Sequence, residues 1–130
     1  MTEKLSIASL KTVKSSPLKV MRVTKNITGR PVAEVLKLLE FSNLKLAPIV
    51  RALVVSAMSN AENNHNMDVD NLYVKDVDVG RAFALRRFAA RGRGKSSRIL
   101  KTFSNIRVIL AEKAPEVKAE KKEKKVTKKQ

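Results

Sequence analysis

Between Arg81 and Leu110 the chain carries nine cations and no acid, and this stretch restricts what the protein can fold into more than any other. Arg81, Arg86, Arg87, Arg91, Arg93, Lys95, Arg98, Lys101 and Arg107 have no acidic neighbour in sequence, so their counter-charge is expected from a polyanion. Apolar residues interleave with them, RAFALRRF before a Gly92-Arg93-Gly94 turn and ILKTFSNIRVIL after it. Along a strand successive side chains face opposite ways, which puts Phe83, Leu85 and Arg87 on one face and Ala84, Arg86 and Phe88 on the other. Neither face is apolar enough for a core or polar enough to be simply solvated. Glycine tolerates the backbone angles of tight turns, so residues 81–98 read as two strand extensions meeting at a hairpin tip. The alternative is a flexible basic loop, against which the turn glycines and the flanking strands both weigh. With about ten residues per arm at ~3.3 Å each, the ribbon would project about 30 Å. Two strands alone are marginally stable, and this ribbon therefore needs a wall from outside. Folded RNA offers one, with phosphates for the cations and base or ribose planes for Phe and stacked guanidinium groups.

The rest of the chain supplies a small body. Its 130 residues are 43% hydrophobic, which suits one domain rather than two. Residues 5–14 alternate loosely (Leu5, Ile7, Leu10, Val13) and suggest a strand. Ser16 as cap, Pro17 at the first position and Gly29 as stop predict a helix over 17–27, with Val20, Val23 and Ile27 inward and Lys19, Arg22 and Lys25 outward. Pro31 opens a second helix to about Glu40, buried through Val32, Val35, Leu36 and Leu39. Ser42 is expected to cap a third, with Leu46, Val50, Leu53, Ala57 and Ala61 as its stripe down to Asn63 or Asn64. Pro48 implies either a start near Ala47 or a bend. From Asn71 the period becomes two, marking a strand through Leu72, Val74, Val77 and Val79, which the 99–110 stretch mirrors. The expected fold class is α+β: three helices packed on a small three-stranded antiparallel sheet, with a long protruding β-hairpin. Residues 1–112 form the single domain, hairpin 81–98 included, and 113–130 read as a disordered Lys-rich tail with too few apolar side chains to order it.

Most chemistry is excluded by what the chain lacks. It has no cysteine and one histidine, so thiolate metal sites, disulfides and cysteine nucleophiles are out. His65 stands in an Asn-rich turn whose Asp68 and Asp70 lack the glycine and later glutamate of a calcium loop. Asp76 and Asp78 would share a strand face as a solvent-facing edge, without the pocket a hydrolase needs. Gly92-Arg93-Gly94 is no dinucleotide fingerprint and no phosphate loop occurs, so neither an enzyme nor a cofactor nor a metal is expected. With 28 basic against 12 acidic residues, three binding classes remain. Structured RNA accounts for both the arginine-rich projection and the basic first helix. Architectural DNA binding is the runner-up, since DNA-bending proteins also use basic arms. A membrane surface comes last: no apolar run spans a bilayer, no secretory signal opens the chain, and the 17–27 helix is too short and too committed to the sheet.

The segments SSPLKV at 15–20, SAMSNAENNHNMDVDNLYVKDVDV at 56–79 and RRFAARGRGKSSRIL at 86–100 resemble the L-twenty-two family of large-subunit ribosomal proteins, over about residues 8–113. The resemblance implies a structural component of the large ribosomal subunit, in a cytoplasmic or an organellar ribosome. Such a protein binds large-subunit ribosomal RNA, supports assembly, and lines the nascent-peptide exit tunnel with its hairpin. Its implied partners are that RNA, neighbouring ribosomal proteins and the nascent peptide, with one copy per ribosome. Arg86 and Arg87 match the family's basic pair on the ascending arm, Arg91, Arg93, Gly94 and Lys95 its tip, Arg98 and Lys101 the descending arm, and Lys19 a basic position of the first helix. Lys11, Lys14, Arg22 and Arg81 complete the expected RNA-binding set. The expected tunnel-facing tip is Phe88, Ala89, Ala90, Arg91, Gly92, Arg93 and Gly94, where small residues leave room for a peptide. Family members often have proline where Ala90 stands and alanine where Gly92 stands, which implies a more flexible tip here until RNA fixes it. Leu18 and Met21 replace basic residues common in the first helix, with Arg22 as a substitute one position along.

Overall fold

The structure is a computed structural model and describes residues 3–113. Along the chain run β1 (Leu5–Val13), α1 (Pro17–Thr24), α2 (Val32–Phe41), α3 (Ala47–His65), a 3-10 turn (Val69–Asn71), β2 (Leu72–Ala90), a second 3-10 turn (Gly92–Gly94) and β3 (Ser96–Glu112). The strands form one antiparallel sheet in the order β1-β3-β2, so the expected α+β architecture is the one found. The Lys-rich tail expected over 113–130 lies outside the described residues except for Lys113. That residue's N–H donates to Asn71 O at 2.9 Å, and its ammonium sits 5.3 Å from the centre of the Tyr73 ring.

Each helix buries the apolar side its spacing implies, with Ile27 added from the turn that follows α1. Val20, Val23 and Ile27, then Val32, Val35 and Leu39, then Val50, Leu53, Ala57 and Ala61 join one core with Val74, Ile106, Val108 and Leu110 of the sheet. Burying each Val, Leu or Ile of this set fully is worth about 1.5–3 kcal/mol. The α3 stripe turns to alanine where it crosses β1, and the close approach lets the buried Ser6 hydroxyl donate to Ala57 O at 2.8 Å.

The helix ends need correction. α1 stops at Thr24 rather than 27, because Ile27 N–H turns to Thr24 O while the Thr24 and Thr28 hydroxyls donate to Met21 O and Thr24 O, loosening the ladder. Ser16 takes the capping backbone position, yet its side chain makes no cap bond. Ser42 does not cap α3: it ends α2, and its Oγ accepts from Leu44 N–H at 3.4 Å. Pro48 lies in the first turn of a helix that begins at Ala47, where its missing donor leaves no gap. α3 runs on to His65 and closes on Asn66 in the left-handed conformation, with Met67 N–H donating back to Ala61 O at 3.0 Å.

Three β-bulges decide which residues face the core. In β2, Val74 pairs with Leu110 and Asp76 with Ile109, leaving Lys75 as the extra residue. The shift by one brings Val77 and Val79 onto the face of Leu72 and Val74 despite their odd spacing. In β1, Leu10 pairs with Ile106 and Val13 with Ser104, three residues against two. Thr12 there has φ 65, rare for a β-branched residue, and its N–H donates to the Asn105 side chain at 3.2 Å. Val13 is thereby buried, whereas Leu5 and Ile7 point to the outer face and stay exposed; the four apolar residues of β1 do not mark a single face. The third bulge, between Arg81 and Ala84, marks where the hairpin leaves the body.

Candidate nucleic-acid interface

From Arg81 to Phe103 no residue is buried. The boundary is Ser104, fully buried and paired with Arg81, whose hydroxyl donates to Ser15 O and ties the root of the ribbon to the turn between β1 and α1. Just above it Phe83 and Phe103 stack at 4.6 Å, the bulge having placed an unpaired aromatic beside its partner.

Beyond the root the register sets one cation against one apolar side chain at four successive steps. Leu85 pairs with Lys101, Arg86 with Leu100, Arg87 with Ile99 and Phe88 with Arg98. Like charges directly opposite would destabilise the ribbon, and this pattern avoids them while giving each long cation an apolar neighbour for its stem. One face holds Arg86, Phe88, Arg98 and Leu100, the other Leu85, Arg87, Ile99 and Lys101. Each face therefore offers two cations and two apolar groups. Phe88 is 77% exposed and Leu100 55%, neighbouring apolar side chains on one face with no part of the protein covering them.

The tip closes through Arg91 N–H to Lys95 O at 2.7 Å, with Arg91 Nε donating to Ser97 Oγ at 3.1 Å. Arg93 and Gly94 both have positive φ, 61 and 71, a conformation that costs the arginine and that the glycine takes freely. Arg93, Lys95 and Gly92 stand exposed around the turn, with Ala89 half-buried and Ala90 exposed beside it.

No carboxylate among the described residues reaches a hairpin cation. The ion pairs lie in the body, Arg30 with Glu34 at 2.8 Å and Lys75 with Glu3, where the Glu3 carboxylate holds the Lys75 ammonium above its ordinary range. Arg87 Nη1 donates to the Arg86 backbone O at 2.8 Å, a contact that leaves the guanidinium charge uncompensated. Eight of the nine cations in 81–110 belong to the hairpin. Arg107 does not: it sits on the outer face of the body sheet between Ser9 and Asp78.

The remaining expected contacts fall elsewhere. Lys11 is exposed at the β1 bulge. Lys14, Lys19 and Arg22 gather at a cavity that no hairpin residue lines, and Lys45 joins them there. Lys45 was not legible in sequence, since it lies in the connector between α2 and α3 and meets α1 only in three dimensions. Leu18 and Met21 are exposed on the same helix. Asp76 and Asp78 face solvent on the outer sheet face, His65 is exposed at the end of α3, and the described residues hold no cluster of three or more metal-ligating side chains. No helix among them is long and apolar enough to cross a membrane.

The sequence has relatives that bear on this surface. The model of the family described as ribosomal protein L22p/L17e matches residues 8–111. A large ribosomal subunit protein uL22 from Rhizorhabdus wittichii is 46% identical over 114 residues, 88% of this chain and 90% of that protein. Proteins of the same description from Zymomonas mobilis and Rhodospirillum centenum are 46% and 43% identical, over 85% and 89% of this chain and 87% and 88% of theirs.

Proposed function

The chain belongs to the ribosomal protein L22p/L17e family, and from that membership we propose that its hairpin is threaded into folded ribosomal RNA with the tip at the wall of the nascent-peptide exit tunnel. The protein is a structural constituent of the large ribosomal subunit, with ribosomal RNA and neighbouring ribosomal proteins as partners, and it is not an enzyme. An architectural DNA-binding role, the competing expectation, finds no support among these relatives.

One observation carries the RNA assignment of the hairpin: both of its faces combine unpaired cations with exposed apolar side chains, and nothing between Arg81 and Phe103 is buried. Phosphates answer the first and base or ribose planes the second, on two sides at once, which a crevice in RNA supplies and a flat surface does not. Arg86, Arg87, Arg98 and Lys101 are the clamps of the shaft, Arg91, Arg93 and Lys95 those of the tip, and Arg81 the contact at the root. Support for the tunnel comes from bulk. Ala89, Ala90, Gly92 and Gly94 keep the tip thin, and a Cβ added at either glycine meets no atom within 4 Å, so a peptide has room beside it. The protein takes this position as a single copy.

Cysteine is absent from the chain, so Gly92→Cys gives a unique attachment point for a photo-crosslinker. On ribosomes holding a stalled nascent chain the expected products are crosslinks to that peptide. Crosslinks confined to surface ribosomal proteins would remove the tip from the tunnel.

A further inference from the structure

A second feature of the molecule is left over by the hairpin account. Beside α1 lies a cavity of about 360 Å³ whose rim carries Lys14, Lys19, Arg22 and Lys45 and no acid. Lys19 and Arg22 share a helix face by their spacing of three, and Lys14 leaves β1 just past the bulge that turns Val13 inward. None of the four makes an ion pair with a described residue. Four unpaired cations converging on one opening repel one another, and an anion seated among them relieves that repulsion.

The floor differs from the rim. Val23 and Leu46 are buried and Leu44 is half exposed, so the cavity ends mainly in aliphatic surface, with the Ser15 hydroxyl as its one uncharged polar side chain. A bare phosphate would use the rim and leave this floor wet. An RNA duplex carries its phosphates on a convex surface and keeps its bases stacked inside, so it too would leave the floor unfilled. An unstacked nucleotide brings a phosphate together with the flat, weakly polar face of a base, and the volume is within the range of about 300–1,000 Å³ that holds small organic groups. The larger cavity beside α2 and α3, about 450 Å³, has Glu40 as well as Arg51 in its lining and lacks this charge pattern.

We propose that the cavity seats one unpaired nucleotide of the ribosomal RNA, its phosphates held by Lys14, Lys19, Arg22 and Lys45 and its base laid against Val23, Leu44 and Leu46. This rests on the RNA-binding assignment above and deepens it. The helix contact is then a receptor for a single-stranded or bulged position rather than for a helix, and with no aromatic or amide side chain and a single hydroxyl, that of Ser15, in the lining it discriminates little between bases.

The test uses the full chain with labelled methyl groups, titrated at physiological salt with a single-stranded hexanucleotide and, separately, with a blunt RNA duplex. The single strand is expected to move the Val23, Leu44 and Leu46 methyl resonances, and the duplex to leave them in place. Leu44→Ser, at a half-exposed position that the fold does not need, is expected to weaken the affinity read from the Val23 and Leu46 shifts by about fivefold or more. Methyls unmoved by the single strand, methyls moved equally by the duplex, or an affinity unchanged in Leu44→Ser would each overturn the proposal. The double substitution Arg86→Ala, Arg87→Ala weakens binding of ribosomal RNA through the hairpin and leaves the cavity affinity as it was, so a failure of either assignment shows separately.

Discussion

Strands β2 and β3 each pass through two environments, their pairing resuming after the bulge that separates them. Below the bulge at Arg81 their inward side chains lie under α1 and α3, with Val74, Val108 and Leu110 fully buried; above it the same two strands continue with no helix against them and no buried residue up to the tip. Backbone pairing therefore carries the ribbon outward, while the apolar packing that stabilises the body strands is missing above the bulge. Composition follows the change. The body strands keep one clean apolar face, and the hairpin divides cations and apolar groups equally between both.

Substitutions should separate the two regions. Ile106→Ala, in the body, is expected to cost about 2–5 kcal/mol of folding stability, read from denaturant unfolding, whereas Leu100→Ala in the hairpin shifts it by less than about 0.5 kcal/mol. A comparable loss from both would mean that the hairpin packs on the body after all. Arg86→Ala with Arg87→Ala should reverse the pattern: unfolding unchanged, ribosomal RNA affinity lowered about tenfold or more, and the logarithmic salt slope reduced by about 2. For the whole hairpin, eight phosphate contacts correspond to a slope of about −6 to −7, and a slope near about −2 would take it out of the binding account.

The boundary itself can be probed more finely. Ser104→Ala removes the hydroxyl that ties the ribbon's root to Ser15 O and should cost about 1–3 kcal/mol, with amide exchange rising first at the root. At the tip the effects are smaller and opposite in sign. Gly94→Ala places a side chain at φ 71 and should loosen the Arg91 to Lys95 closure by about 1–2 kcal/mol. Gly92→Ala, at an ordinary φ with open space around it, should tighten that closure by about 0.4–1 kcal/mol, both read from exchange of the Arg91 amide.

The helices, their buried stripes and the hairpin were legible because each is written in local spacing: Val32, Val35 and Leu39 need only a period of 3.6, and Gly92-Arg93-Gly94 needs only turn chemistry. What was not legible depends on pairing between distant segments. The interruption at Lys75 and Asp76 is visible in the sequence, but that it returns Val77 and Val79 to the core face follows from their opposition to Val108 and Ile106. The same holds for Thr12, whose positive φ makes Val13 rather than Leu5 or Ile7 the inward residue. Ser16 and Ser42 look like caps by type, and only their geometry shows that neither side chain caps its helix. The alternation of Arg86 with Leu100 and of Phe88 with Arg98 required a register, and Lys45 required the docking of two connectors.

Amide hydrogen exchange, compared between the free protein and its complex with ribosomal RNA, bears most directly on the claim that RNA rather than the body holds the ribbon. Amides of Ile106, Val108 and Leu110 should be strongly protected in both states, while those of 84–102 should be only weakly protected in the free chain and slow by about a hundredfold or more when bound. Equal protection of 84–102 in the two states would contradict it.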